Sequence, residues 1–582
     1  MNIAGAGRTL SLFRSIFNTS KQTLSPIEFS ERKPLLKPDE NKFFKRVSPE
    51  ECGIESRFLY DYAYSLFEDR QVNLQSLMVM RNDCVVFEAT KNLQDESFPK
   101  ATFSECKSIV SIGIGILINK GLLKLSDRVI DIFGAHASPV AKMRLSKLTV
   151  KHLLNMTSPV LFNEGEAMVS DDWLKAYLNS DVEGGFGRKF RYNSMNTYVL
   201  ARIITEKTGL TLTEFLTNEL FLPLQITNFY WEKCPNGYEK GGWGLYIRRE
   251  DIAKIGLLVL NKGVWNGKKI VSESFLDSAT SPKVQVKDEF GRYDYGYHIW
   301  CGKDSNSFLF NGVFGQNLLA FRDLGIMIIA NCGNKDTFQQ GRFFEITHEF
   351  FNREFEKTLP KNKKDFSDLL RFAREINDFG FNQREKPRLF SKNRVPEFTL
   401  DTINGKVFDF TGVNALSTGV LPLFLQLIQG NYSKGLTHVE FQKEDDRLLV
   451  IFHENDETHF LKVGISKPTT SVIISHGESF TVKSIAKITE NEDGILTLKI
   501  DCDFIETPFS RTFKFFFDGN DPFAVFTETP GNEFLRIANV VAKSTIPNIQ
   551  IMESFFSKFE SDYFVYKFER AFSPRLLMKE RE

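Results

Sequence analysis

The chain of 582 residues carries no net charge, since Lys+Arg and Asp+Glu both number 74. That removes a global electrostatic case for nucleic acid or an anionic membrane surface as a partner. It has no Cys-x-x-Cys, and its seven cysteines, at 52, 84, 106, 234, 301, 332 and 502, are scattered. This excludes a zinc knuckle and a thioredoxin motif and fits a reducing compartment better than an oxidising one. The eight histidines show no His-Glu-x-x-His or similar spacing, so no metal or other cofactor is expected. No apolar run reaches the roughly 18 residues of a transmembrane helix, so no transmembrane anchor is expected. The first residues, broken by Arg8 and Arg14, lack the apolar core of roughly 7–15 residues that marks a secretory signal. A cytoplasmic location follows as the expectation. No internal repeat stands out.

What is present is an ordinary globular composition, 42% hydrophobic and 25% charged, with one excess: 57 Phe against 15 Tyr and 5 Trp. The length suggests two to four domains. Residues 1–45 are polar and irregular and read as a flexible tail. Residues 46–355 open with a helix near 56–70 and two strands, Leu74–Met80 and Cys84–Thr90, joined by Arg81-Asn82-Asp83. A mostly helical stretch runs to about 280. Strands return at Tyr295–Trp300, Ser307–Phe310, Asn317–Phe321 and Gly325–Asn331, followed by a helix near 337–355. Strands at both ends of a helical middle predict an α/β domain of α+β type, one antiparallel sheet flanked by helices. Residues 356–398 read as a connecting segment with one helix. From 399 to 582 the texture turns to alternating strands separated by turns such as Glu492-Asp-Gly494, which predicts a second, β-rich domain, a small barrel among the options. Met552–Glu560 fits an amphipathic helix packing on it.

Ser-x-x-Lys occurs four times, at Ser30/Lys33, Ser97/Lys100, Ser104/Lys107 and Ser484/Lys487. Only Ser104 opens a long apolar helical run, Phe103-Ser-Glu-Cys-Lys107 onward to Asn119. Residues i and i+3 share a helix face, so Ser104 Oγ and Lys107 Nζ can meet. A lysine held away from water can take a hydroxyl proton, and a helix start supplies free N–H groups. The spacing alone equally fits a surface Ser with a snorkelling Lys. Further on, Phe190-Arg-Tyr192-Asn193-Ser194 precedes a helix that Asn193 or Ser194 can cap and Gly209 can end. Tyr192 would project just ahead of it, as a second base or proton relay or as a structural tyrosine.

These segments, with Asn119-Lys-Gly-Leu-Leu-Lys-Leu-Ser-Asp127, Leu148-Thr-Val-Lys-His-Leu-Leu-Asn-Met-Thr157, Gly241-Gly-Trp-Gly-Leu-Tyr-Ile-Arg-Arg-Glu-Asp251 and Lys262-Gly-Val-Trp-Asn-Gly267, resemble the serine β-lactamase and penicillin-binding-protein superfamily, class C-like, over about residues 47–350. The resemblance implies a β-lactamase-like transpeptidase fold. It implies that Ser104 attacks a carbonyl to form an acyl-enzyme, with Lys107 and Tyr192 handling the proton, and that water then releases the acid. The substrate would be a small molecule or peptide; the oligomeric state is left open.

Three departures matter. The tyrosine motif has Asn at 193 and Ser at 194, where the family carries Asn two residues after Tyr. The segment after Leu153-Leu ends in Ser158-Pro159, not Ser-Gly. The third motif, a cation followed by a small residue and Gly, has no clear counterpart; the matching region is Asn311-Gly-Val-Phe-Gly315-Gln316. If Val313-Phe-Gly315 fills that place, Gln316 supplies an oxyanion N–H; alternatively Gly312 and Gly315 only permit close backbone approach. Without a cation there, an esterase- or amidase-like activity on a neutral acyl group is expected. The competing readings are a catalytically silent binding or regulatory protein and a cell-wall peptide (D-Ala) hydrolase, the latter weakened by the missing export signal.

Overall fold

The computed structural model describes residues 31–168, 170–287, 291–335, 339, 341–379, 400–411, 416–455, 457–490, 495–518, 521–531 and 572–582. The first layer is an eight-stranded sheet built from both ends of the first domain. Its strands are β1 (Lys45–Arg46), β2 (Leu74–Arg81), β3 (Cys84–Thr90), β4 (Tyr293–Tyr295), β5 (Trp300–Gly302), β6 (Ser307–Gly312), β7 (Gln316–Phe321) and β8 (Ile326–Cys332), in the order β1-β3-β2-β8-β7-β6-β5-β4. All neighbours are antiparallel except β1 and β3. Strands β6, β7 and β8 are buried at every position, which requires cover on both faces. On one face lie α2 (Cys106–Asn119), α3 (Ser194–Thr208) and α4 (Arg249–Leu260); on the other lie α1 (Ser56–Glu68), α5 (Arg342–Phe350) and α6 (Lys363–Phe379). Helix α2 is buried along almost its whole length, as its all-round apolar sequence demands.

The second unit is a ten-stranded barrel, β9 (Val407–Thr411), β10 (Leu436–Lys443), β11 (Arg447–Glu454), β12 (Thr458–Gly464), β13 (Thr469–Ser475), β14 (Glu478–Glu490), β15 (Leu496–Phe504), β16 (Ser510–Phe517), β17 (Phe523–Thr529) and β18 (Arg575–Glu580). The order is β12-β11-β10-β9-β18-β17-β16-β15-β14-β13. A bridge between Gly464 of β12 and Ile485 of β14 draws the two ends of the sheet together. Alternate residues point inward, as along β15. Much of the phenylalanine excess goes here: Phe408, Phe441, Phe452, Phe480, Phe504, Phe513, Phe515 and Phe526 are all buried. Helix α7 (Leu423–Gln429) lies between β9 and β10 in sequence.

Three expectations change. Residues 31–45, assigned to the tail, are packed: Leu36, Phe44 and Lys33 are buried, and β1 pairs with β3 from Lys45. Polarity misled because Lys33 is neutralised by Glu506 of the barrel. Within the connecting segment, α6 belongs to the first domain, where Leu369, Phe372 and Ile376 enter its core. The strand expected through Tyr295–Trp300 is broken between β4 and β5, where His298 takes a φ of 55°. The helix expected at Met552–Glu560, and residues 1–30, lie outside the described residues.

Candidate active site

The chain reaches Ser104 along Lys100–Ala101, which pairs with Tyr246–Ile247. Thr102 then donates both its N–H and its hydroxyl to Leu245 O, each at 2.9 Å. Ser104 sits in a single 3₁₀ turn, Phe103–Glu105, that runs into α2. The preceding Phe103 has a φ of 48°, the left-handed region that a bulky side chain rarely enters.

One turn on, Lys107 is 1% exposed. Its Nζ donates to Ser104 Oγ at 2.8 Å and to Gly242 O at 2.6 Å, and lies 5.1 Å from the centre of the Tyr192 ring. The glycine at 242 is what admits that carbonyl: a Cβ there would stand 2.6 Å from Ser194 O. Five lysines are buried among the described residues: Lys33, Lys100, Lys107, Lys240 and Lys254. Four have a carboxylate within ion-pair distance, Glu506, Glu96, Glu232 and Asp251 in turn. Lys107 is the one with none, and a buried cation without a counter-ion is costly to keep.

Tyr192 is half-buried just before α3, its ring stacked on Trp300 with centroids 6.1 Å apart and flanked by Phe190 and Tyr295. Asn193 is taken up by capping: Oδ1 accepts from the Met195 N–H at 2.9 Å, and Nδ2 donates to Phe162 O at 2.8 Å. The Ser194 N–H donates to Glu164 Oε1 at 2.7 Å, and its side chain is buried beside Gly242. Asn193 and Ser194 therefore fix where Tyr192 stands. Cys106, inside the same turn, donates to Phe103 O and Gly241 O, and burial pushes its thiol up to about 12. A thiol held so is a poor nucleophile.

Sequence reasoning missed His298 and did not single out the Val313 N–H, while the close backbone approach offered for Gly312 is found. His298 is buried, and burial together with the Lys107 charge pushes it down to about 3, so it is neutral. Its Nε2 lies 3.0 Å from Thr197 Oγ1, and its carbonyl accepts from Ser108 Oγ at 2.7 Å, which ties α2 to α3. Gly312, not Gly315, meets the serine turn: a Cβ on Gly312 would lie 2.2 Å from Thr102 O and 3.3 Å from Glu105 N. Gly315 abuts Cys332 and Asn334, and the Gln316 side chain bonds Cys332 O at 2.7 Å and Asn331 at 3.0 Å. Both therefore lean toward β8, which moves attention from Gln316 to the half-buried Val313. The N–H groups of Ser104 and Val313 have no acceptor among the described residues. No lysine, arginine or histidine lies within 311–316. The signal for Gly312 was its place at the end of an apolar strand, which alone does not say which element approaches it.

Residues 76–342, a little under half of the chain, match the family model described as Beta-lactamase. Among curated proteins, the chain is 31% identical over 147 residues to a 6-aminohexanoate-dimer hydrolase of Paenarthrobacter ureafaciens, covering 23% of this chain and 37% of that one. The match thus spans little over a third of that relative. Similar solved structures include a candidate 6-aminohexanoate-dimer hydrolase from Bacillus anthracis (18% identity, TM-score 0.43, 59% of this chain and 92% of that one). Another is EstCE1, described as a hydrolase with promiscuous acyltransferase activity (15% identity, TM-score 0.43, 51% and 98%). An octameric penicillin-binding-protein homologue from Pyrococcus abyssi covers 77% of this chain and 97% of its own (14% identity, TM-score 0.37). No helix among the described residues is long and apolar enough to cross a membrane, and no group of three or more potential ligands among them could hold a metal ion.

Proposed function

We propose that the protein is a serine hydrolase that cleaves a neutral ester or amide through an acyl-enzyme on Ser104. The observation that carries this is Lys107, a buried lysine with no carboxylate partner among the described residues, whose Nζ lies 2.8 Å from Ser104 Oγ. Lys107 and Tyr192 act as one proton-transfer unit. With one basic site of the unit free, they take the Ser104 proton as Oγ attacks the carbonyl and give it to the leaving group as its bond to the acyl carbon breaks; they then take a proton from the water that attacks the acyl carbon and return it to Ser104 Oγ as the acid leaves. The N–H groups of Ser104 and Val313 receive the oxyanion. The half-buried Phe190 and Tyr192, backed by buried Tyr295 and Trp300, suit an uncharged substrate. The absence of a cationic side chain at 311–316 disfavours a substrate held by its carboxylate, as a D-Ala peptide would be.

The test is hydrolysis of a short-chain p-nitrophenyl ester. Ser104→Ala should lower turnover by about 10³-fold or more with an unchanged thermal midpoint, because the hydroxyl is half-buried and truncation leaves no cavity. Turnover near the wild-type rate in the folded variant would rule out Ser104 as nucleophile. An intact wild type that turns over no ester or amide would favour the silent binding reading.

A further inference from the structure

The serine turn and the loop that faces it are both held in strained backbone by aromatic rings. Phe103, next to Ser104, has a φ of 48°, and Phe314, next to Val313, has a φ of 66°. Neither is glycine, and both conformations are unfavourable for a bulky residue. Such backbone persists only where the surroundings over-determine it. Their rings meet edge to face at 5.7 Å. Two further rings complete the cluster, and both belong to the barrel. Phe509, in the turn between β15 and β16, lies 6.2 Å from Phe103 and 5.4 Å from Phe314. Phe424, in α7, lies 5.1 Å from Phe314 and 5.4 Å from Phe509. All four are buried.

The same barrel turn grips the approach to the serine through the backbone. The Ala101 N–H donates to Glu506 O at 2.8 Å, and Lys100 Nζ donates to Ile505 O at 2.9 Å. Gln75 Nε2 donates to Pro508 O at 3.0 Å, from the strand next to β8. Buried Lys33 pairs with Glu506 from the other side. The contact is thus aromatic and buried at its centre and hydrogen-bonded at its rim. Two of its rings, Phe103 and Phe314, are the chain neighbours of Ser104 and Val313, whose N–H groups are assigned to the oxyanion.

We infer that Phe509 and Phe424 of the barrel are positioning residues of the active site: they clamp Phe103 and Phe314, and so set the separation of the Ser104 and Val313 N–H groups. This rests on the reading of Ser104 as nucleophile. The barrel contributes no reacting atom. It fixes the two strained residues that the first domain by itself leaves without cover on that side. Oxyanion stabilisation depends on donor placement to within a fraction of an ångström, so loosening the clamp lowers the rate of acylation more than it weakens substrate binding.

The experiment uses the full chain and a fluorophosphonate probe, with labelling rates read by intact mass and peptide mapping. Phe509→Ala and Phe424→Ala should each slow phosphonylation of Ser104 tenfold or more, the double variant little further. Phe509→Leu should recover most of the rate. Phe515→Ala, which removes a buried barrel ring that touches none of the four, should lower the thermal midpoint comparably and label within twofold of wild type. With a p-nitrophenyl ester, kcat should fall with KM nearly constant. Labelling at the wild-type rate in folded Phe509→Ala or Phe424→Ala overturns the inference. If Phe509→Ala does not fold, Phe424→Ala and Phe509→Leu decide it on the same criterion. A wild type that is never labelled sinks the nucleophile instead, and amide exchange then decides the clamp. Faster exchange at residues 102–105 and 313–315 in Phe424→Ala supports it, and unchanged exchange overturns it.

Discussion

The starts of helices α2 and α4 present nearly the same device twice. In the first, Ser104 and Lys107 are three residues apart; in the second, Asp251 and Lys254 are. Each lysine is buried, and each donates to its partner three residues back at 2.8 Å. Each also donates to a main-chain carbonyl, Gly242 O at 2.6 Å and Gln225 O at 2.9 Å. Each sits over an aromatic ring, Tyr192 at 5.1 Å and Phe43 at 4.9 Å. What differs is the charge of the partner. Asp251 neutralises Lys254 and is itself held by Arg248 at 2.9 Å. Ser104 leaves Lys107 without a counter-charge. A closed ion pair binds structure together; a buried lysine that meets a hydroxyl in place of a carboxylate is left available for proton transfer.

The largest effect should come from breaking this parallel at both sites. Lys107→Ala should cost about 10³-fold or more in acylation of Ser104 with little change in thermal midpoint. Lys254→Ala should do the reverse: acylation within about twofold, and a loss of stability somewhat below the ~3–5 kcal/mol typical of an orphaned buried charge, since Arg248 still pairs Asp251. Comparable kinetic losses in both variants would remove the distinction between the two lysines.

Tyr192→Phe should lose about 10²-fold on its own, and Lys107→Ala/Tyr192→Phe should be little worse than Lys107→Ala, because parts of one proton-transfer unit are not additive. Losses that multiply through the full cycle would show two independent groups.

The smallest effect concerns Glu105, the first of the two residues between serine and lysine. Glu105 is buried, its Oε1 has no hydrogen-bond partner among the described residues, and burial raises its carboxyl from the ordinary 4.5 to about 8. A raised carboxyl binds its proton more tightly when folded. Its contribution is therefore fully present below about pH 4.5, falls as pH rises toward 8, and is level above that. Glu105→Gln should gain stability relative to wild type across that window, on the order of a few kcal/mol at most. A stability difference that does not vary between pH 5 and pH 8 would contradict the assigned burial effect.

The comparison also explains what sequence reasoning could reach. Ser104 and Lys107 were legible because a three-residue spacing on one helix fixes their meeting locally. Tyr192 was legible because capping by Asn193 sets the start of α3. Long apolar strands gave the sheet, since β6, β7 and β8 are buried on both faces. For the β6–β7 hairpin, close backbone approach at a glycine was legible, but which glycine meets the serine turn was not, because it depends on strand register and the string Gly-Val-Phe-Gly allows either; the Val313 N–H was hidden for the same reason. The packing of residues 31–45 was hidden because Lys33 reads as polar until Glu506, far along the chain, neutralises it. Phe509 was hidden for the same reason, as its partners Phe103 and Phe314 lie in another domain.

The central claim is that Lys107, the one buried lysine without a carboxylate partner among the described residues, marks the nucleophile. Its most direct test is to react the wild-type protein with a fluorophosphonate and map the adduct by peptide mass spectrometry. The account predicts one adduct, on Ser104, abolished in Ser104→Ala and slowed by about 10³-fold or more in Lys107→Ala. An adduct on a different residue, or equal labelling of wild type and Lys107→Ala, would contradict it.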